Sequence, residues 1–162
     1  MHKPLKRHEA LVPLSRDHHF GLLLVWKIRQ GLAFEVLLTR ICDYVVYYVE
    51  HRIFPHFQLE EAEVFPFLEA NDPLRQRAEV QHKAIRATFA GIKRGEPEAM
   101  AQLLDELAER LEAHIRFEER TLFEHMQAVL SAGKLTRLGE KIAASNRFAD
   151  EIWEDEFWKK DN

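Results

Sequence analysis

His56-Phe57-Gln58-Leu59-Glu60-Glu61-Ala62-Glu63-Val64-Phe65 and His114-Ile115-Arg116-Phe117-Glu118-Glu119-Arg120-Thr121-Leu122-Phe123 are one unit written twice, 58 residues apart. The His, both glutamates and the final Phe are identical, and three of the other six pairs are apolar. With nine histidines and 20 glutamates in 162 residues, composition alone would place Glu at both +4 and +5 after a His about 0.14 times. It happens twice. On a helix, residues i and i+4 differ by about 40°, so His56 and Glu60 project side by side, as do His114 and Glu118. Residues i and i+5 differ by about 140°, which sends Glu61 and Glu119 away from that direction.

Working outward, the apolar period is helical nearly everywhere and nothing reads as an alternating strand. A first helix is expected from an N-cap at Ser15, after Pro13, to about Gly31, with Leu14, His18, Leu22, Val25 and Leu32 inward. A second spans about Glu35 to Leu68 with a kink at Pro55, and its stripe holds Val45, Val49, Ile53, His56, Glu60, Val64 and Phe67. Asn71-Asp72-Pro73 signals a turn and helix start, and Gly95 stops the third helix after Arg94; Ala78, His82, Ile85, Phe89 and Ile92 face inward. The fourth runs from near Pro97 to Leu130 with Leu107, Leu111, His114, Glu118 and Leu122 inward. Gly133 precedes an acidic fifth helix of about Lys134 to Trp158, with Leu135, Leu138, Ile142, Ala149 and Ile152 as its apolar residues. Four long helices with short connections make an all-α antiparallel bundle, and the fifth packs across it. The whole chain, 1–162, reads as one domain with the bundle at about 12–130.

The inward stripes carry one histidine each. His18 and His82 lie thirteen residues before Gly31 and Gly95, so the chain reads as two helix hairpins of similar design. Each hairpin supplies one lone His and one His-x-x-x-Glu pair. Burying four imidazoles and two carboxylates without partners costs several kcal/mol, and a pair of divalent cations would offset it. With Glu60 and Glu118 bridging, each ion takes two His nitrogens and two carboxylate oxygens, which leaves positions for a small ligand. This donor set suits iron, manganese or zinc better than calcium or magnesium, with redox-active iron first. The metal candidates are therefore His18, His56, Glu60, His82, His114 and Glu118.

Asp17-His18, the His56–Glu60–Phe65–Pro66 stretch and the His114–Glu118–Phe123 stretch, with His82, resemble the hemerythrin-like (HHE cation-binding) domain family over residues 12–130. The resemblance implies an up-down-up-down four-helix bundle holding two irons as an oxo- or hydroxo-bridged non-heme centre that handles O2, NO or iron. The chain departs from the oxygen-carrying members in two places. Arg86 stands one turn after His82 where the carriers have a second histidine, and the last helix has Glu at +4 and +5 rather than Asp at +5. An arginine stays protonated and cannot be a ligand. The double His-x-x-x-Glu arrangement is more similar to the iron-responsive and iron–sulfur-centre repair members. A protein that binds or senses O2, NO or iron is the first expectation. Rival readings are a di-iron oxidase or peroxidase, an iron-donating repair protein, and a metal-free helical interaction module using Glu151, Glu154, Asp155 and Glu156.

Composition is consistent with this. The chain is 46% hydrophobic and 31% charged with only 6 Gly and 6 Pro, which excludes disorder. The formal net charge of −4 argues against nucleic-acid or anionic-membrane partners, and no apolar run is long enough to span a bilayer. With no signal-peptide pattern and a lone Cys42, the expectation is a cytoplasmic protein. His19 is the rotational alternative to His18. His125 is read as a surface residue or a supporting group near a bundle end, and His51 as pointing elsewhere. His2 and His8 fall on the terminus. Arg86 is read either as pairing with a metal-bound carboxylate or as an ordinary salt bridge. Tyr44, Tyr47, Tyr48, Trp26, Trp153 and Trp158 read as packing, and Cys42 as a structural thiol.

Overall fold

The computed structural model describes residues 6–145 and 152–160, and among them there is no strand. Helix α1 (Val12–Ala33) is followed by α2 (Leu38–Tyr48), which continues without a break through a π-helical turn π1 (Val49–Ile53), α3 (Phe54–Leu59) and a second π turn, π2 (Glu60–Val64). A short 3-10 turn, Phe65–Phe67, ends that rod. Helix α4 (Pro73–Arg94) leads to α5 (Met100–Phe117), which runs through π3 (Glu118–Leu122) into α6 (Phe123–Val129); α7 (Ala132–Ala143) follows.

The helix ends follow local chemistry. Asp72 caps α4 by accepting from the Leu74 and Arg75 amides at 2.9 and 3.2 Å, and Pro73 needs no donor in the first turn. Gly95, at φ 75°, provides the left-handed residue that stops it. Pro55 does not break its helix, because its missing donor falls just after π1, where the turn is already widened.

Four expectations need correction. Helix α1 begins at Val12, so Ser15 lies inside it, and the Ser15 hydroxyl donates to Glu119 Oε2 at 2.9 Å instead of capping. The fifth helix ends at Ala143. Ala149 and Glu151 lie outside the described residues, and 152–160 are not helical. Ile152, placed on an apolar stripe, is 94% exposed, whereas Phe157 and Trp158 are buried against α1 and α2 core residues. Trp26 is also largely exposed rather than packed.

Two apolar clusters make the core. One gathers Leu24, Ile28, Val45, Ile53, Phe57, Ile85, Leu111 and Ile115; the other gathers Leu14, Val64, Phe65, Ala78, Leu122, Phe123, Leu138 and Ile142. Along every long helix the candidate ligand falls between them: His18 between Leu14 and Leu24, His82 between Ala78 and Ile85, Glu118 between Ile115 and Leu122. A buried polar layer thus separates two dry compartments. Among the described residues no helix is long and apolar enough to cross a membrane.

Candidate metal centre

Helical spacing puts His56 and Glu60 on one face of the α3–π2 rod, and His114 and Glu118 on one face of α5–π3; α1 and α4 bring His18 and His82 opposite. All six are buried, Glu60 and Glu118 completely. Glu60 Oε1 lies 3.2 Å from His56 Nε2 and 3.3 Å from His82 Nε2. Glu118 Oε1 lies 3.0 Å from His18 Nε2 and 3.1 Å from His114 Nε2. Two overlapping groups result, His18–His56–Glu60–Glu118 and His82–His114–Glu60–Glu118, each with donor atoms within 4.8 Å of one another. Both glutamates belong to both groups.

Each imidazole is also held from behind. His56 Nδ1 donates to Asp17 Oδ2 at 3.0 Å, His82 Nδ1 to Glu61 Oε2 at 2.9 Å, and His114 Nδ1 to Gln81 Oε1 at 2.7 Å. His18 Nδ1 lies 3.4 Å from Glu119 Oε2. The internal repeat therefore extends further than the sequence unit. The +5 glutamate of each unit supports the lone histidine of a neighbouring helix, and the residue just before each lone histidine, Asp17 or Gln81, supports the paired one. Fixing Nδ1 in this way orients Nε2 toward the centre and raises its basicity, as second-shell carboxylates do for metal-bound histidines.

Glu61 is further gripped by Arg86, at 2.8 and 3.0 Å to its two oxygens. Glu119 accepts from Ser15 and lies 3.8 Å from Arg7. Aromatic rings fix the imidazole planes: Phe57 stacks on His82 at 3.8 Å, and Phe123 lies parallel to His18 at 5.5 Å.

The layer is short of positive charge. Both Glu60 oxygens, Glu118 Oε2 and His56 Nε2 are buried without an aligned hydrogen-bond partner. His82 Nε2 and His114 Nε2 face each other at 3.1 Å, although both rings already donate through Nδ1. Neutral rings would oppose two lone pairs there, an arrangement that a proton or a cation relieves. Burial pulls the His18 imidazole down, but Glu118 and Glu119 outweigh it and lift it to about 9. Burial likewise opposes His56, and Glu60 with Asp17 carries it to about 10. His82 is raised against burial by Glu60 and Glu61. Burial pushes the Glu118 carboxyl up, yet His114 and His18 hold it well below the usual carboxylate range. In the metal-free fold the surrounding carboxylates therefore favour the protonated forms of His18, His56 and His82.

The hemerythrin HHE cation binding domain model matches residues 26–142, well over half of the chain. The chain belongs to that family. No curated protein and no solved structure matches it. The HHE match begins after His18, which enters the site through the packing of α1 on α5. It also extends through α7, beyond the 12–130 range over which the sequence resembles the family. The buried His and Glu groups are those a cation-binding domain needs, and their donor chemistry fits a metal ion.

The remaining candidates fall elsewhere in the HHE domain. His19 and His51 are exposed, and His51 Nδ1 donates to the Tyr47 carbonyl at 2.7 Å. His125 Nε2 donates to Asp72 Oδ2 at 2.7 Å, joining α6 to the α4 cap. His8 accepts from the Ala10 amide at 3.0 Å, and His2 lies outside the described residues. Arg86 makes its ion pair with Glu61, and so acts on His82 through that carboxylate. Asp155, read as part of an acidic partner-binding helix, instead pairs with Arg40 at 2.6 Å in the non-helical 152–160 segment. Cys42 is half-buried, and burial raises its thiol to about 11.

A cavity of about 30 Å³ adjoins the His18–His56 end, lined by Asp17, Gly21, Tyr48, Arg52, Phe57 and Ile115 among others. That is room for a water or another small molecule, since about 10–15 Å³ of such space takes one water. Sequence reasoning did not find this cavity, nor the supporting roles of Asp17, Glu61, Gln81 and Glu119.

Proposed function

We propose that this chain holds two iron ions through His18, His56, Glu60, His82, His114 and Glu118, and uses them to bind or sense O2, NO or iron itself. The observation that carries the reading is Glu60. It is a fully buried carboxylate with neither oxygen hydrogen-bonded, set between imidazole nitrogens of two different helices. Such a group is costly unless a cation meets it. Iron pairs supply open coordination positions and accessible redox states; manganese would satisfy the same donors with redox states of its own, and zinc would satisfy them without redox chemistry.

The protein's own residues do the rest. Glu60 and Glu118 span both positions, one imidazole pair completes each, and Asp17, Glu61, Gln81 and Glu119 hold the rings in place. The apolar clusters on either side keep bulk water from the centre. The small cavity beside His18 and His56 fits a diatomic molecule in size and polarity. We read the architecture as an up-down-up-down antiparallel four-helix bundle, a single domain with α7 appended.

Metal analysis tests this. Protein produced with iron supplied is expected to carry about two iron per chain, and Glu60→Ala with Glu118→Ala is expected to carry none. A parent that folds and takes up no metal overturns the proposal. Repeated O2 or peroxide consumption by the iron-loaded form would move the reading to an oxidase or peroxidase.

A further inference from the structure

The small cavity beside His18 and His56 and a groove on the outside of the molecule share three lining residues, Phe20, Tyr48 and Arg52. The groove, of about 370 Å³, lies between α1, α2 and the 152–160 segment, with Leu23, Lys27, Trp153 and Trp158 in its walls. One layer of side chains therefore separates cavity from groove. Tyr48 OH donates to the Phe20 carbonyl at 3.3 Å, and the Arg52 guanidinium lies over the Phe20 and Tyr48 rings, at 5.1 and 5.9 Å from their centres. The Phe20 ring is half-buried and carries no polar group to anchor it, so a change of rotamer moves it. The other walls are harder to shift. Phe57, Leu111 and Ile115 are buried in the first apolar cluster, and Asp17 accepts from the His56 ring.

We propose that small uncharged molecules reach the centre from this groove through the Phe20–Tyr48–Arg52 layer, and that Phe20 sets how fast they pass. The inference rests on the two-ion reading above and narrows its ligand to O2 or NO. The approach offers aromatic rings and two cations, Lys27 and Arg52, against the single carboxylate of Glu156. Lys27 is held 3.9 Å from the centre of the Trp158 ring, so its charge lies on the groove wall. A neutral diatomic molecule crosses such a surface with little to desolvate, whereas a hydrated metal ion meets like charge and must shed its water. The family match ends at residue 142, and the segment that walls the groove on its outer side lies beyond it.

The test has two parts, both on the full-length protein. In the metal-free form under dissolved O2, the ¹³C-labelled methyls of Ile53, Leu111 and Ile115 around the cavity are expected to relax severalfold faster than the buried methyls of Leu122, Leu138 and Ile142. In the iron-loaded form, NO association and dissociation are followed by stopped flow. Phe20→Ala is expected to raise both rates severalfold with their ratio nearly constant, and Leu23→Trp, which narrows the groove without lining the cavity, to lower both. Phe67→Ala, which lines neither space, should leave them unchanged. Uniform methyl relaxation, unchanged rates in folded Phe20→Ala, or a shift in NO affinity without a common change in both rates would each overturn the inference. The O2 measurement needs no variant, so a misfolded variant does not protect the proposal. If the parent takes up no iron, the two-ion reading falls and takes this inference with it. If it holds two irons and Phe20→Ala leaves the rates alone, the two-ion reading stands and the route alone is lost.

Discussion

Arg86 grips both oxygens of Glu61, and the same Glu61 carboxylate accepts from His82 Nδ1 at 2.9 Å, so an arginine on α4 acts on the centre through a side chain of the neighbouring π2 turn. Glu61→Gln should weaken cation binding about 10–100-fold while leaving the helices formed, because it removes the support of one ligand and no ligand itself. Competition with a chelator of known affinity measures it, and unchanged affinity would show that the His82 contact is incidental.

The metal-free protein should lose stability as pH rises. His18 and His56 are lifted from 6.5 in the unfolded chain to about 9 and about 10 in the fold. The folded state therefore binds more protons than the unfolded one between those values. Their contribution is complete below about pH 6.5, declines above it, and is gone once pH has passed the folded values. Urea denaturation in chelator at pH 6.5 and pH 10 should give the lower stability at pH 10. Saturating metal should remove most of that slope, because ligated nitrogens no longer titrate.

Asp72 behaves in the opposite sense. Burial pushes its carboxyl up, but His125 and the Arg75 and Leu74 amides hold it below its usual value. Its contribution is present above the unfolded carboxyl range and is lost as pH falls through the depressed folded value. Asp72→Ala should cost about 1 kcal/mol near pH 7, the usual worth of an N-cap, and progressively less in acid. Paired denaturation curves at pH 7 and pH 3 check this.

Gly31 has no room for a side chain. A Cβ there would lie 2.8 Å from Ile41 Cδ1 and 2.9 Å from Phe157, the latter part of the 152–160 segment. Gly31→Ala should destabilise by about 1–3 kcal/mol through overpacking. Phe157→Ala should cost about 3–5 kcal/mol, since Phe157 is fully buried. Trp26→Ala, at an exposed position, should change stability by less than about 0.5 kcal/mol. Thermal melts should show the largest loss for Phe157→Ala, a smaller one for Gly31→Ala and almost none for Trp26→Ala, and a silent Phe157→Ala would mean the segment does not pack in solution.

The six central residues were legible because their signal is local: i+4 spacing on an apolar stripe, repeated. Asp72 and Gly95 were legible for the same reason. Glu61 and Glu119 were read correctly as turned about 140° from the core. That direction points into the groove with a neighbouring helix, where His82 and His18 wait, and only the assembled fold shows it. Asp17 is visible in the sequence only as the residue before His18, and Gln81 not at all, since a polar residue beside a histidine has no period that reveals its role. The end of the chain differs from the sequence reading because Ala149 and Ile152 continue the helical spacing of Leu138 and Ile142, while the residues that bury there, Phe157 and Trp158, do so from an irregular segment. The π turns were invisible too, as a widened turn changes hydrogen bonding without changing residue type.

Those π turns start at Glu60 and Glu118, at the same place in each repeat unit. Each holds one residue more than an α-helical turn needs, so the length of the chain itself sets how Val64, Phe65, Leu122 and Phe123 are phased against the histidines behind them. Deleting Ala62 or Arg120 would remove that extra residue and let an ordinary α-helical turn close with Val64, Phe65, Leu122 and Phe123 kept in phase, whereas the same deletion in the α-helical stretch before either turn would swing everything downstream by about 100°. The widened turns are the points where each rod takes up slack in chain length, directly behind its buried glutamate.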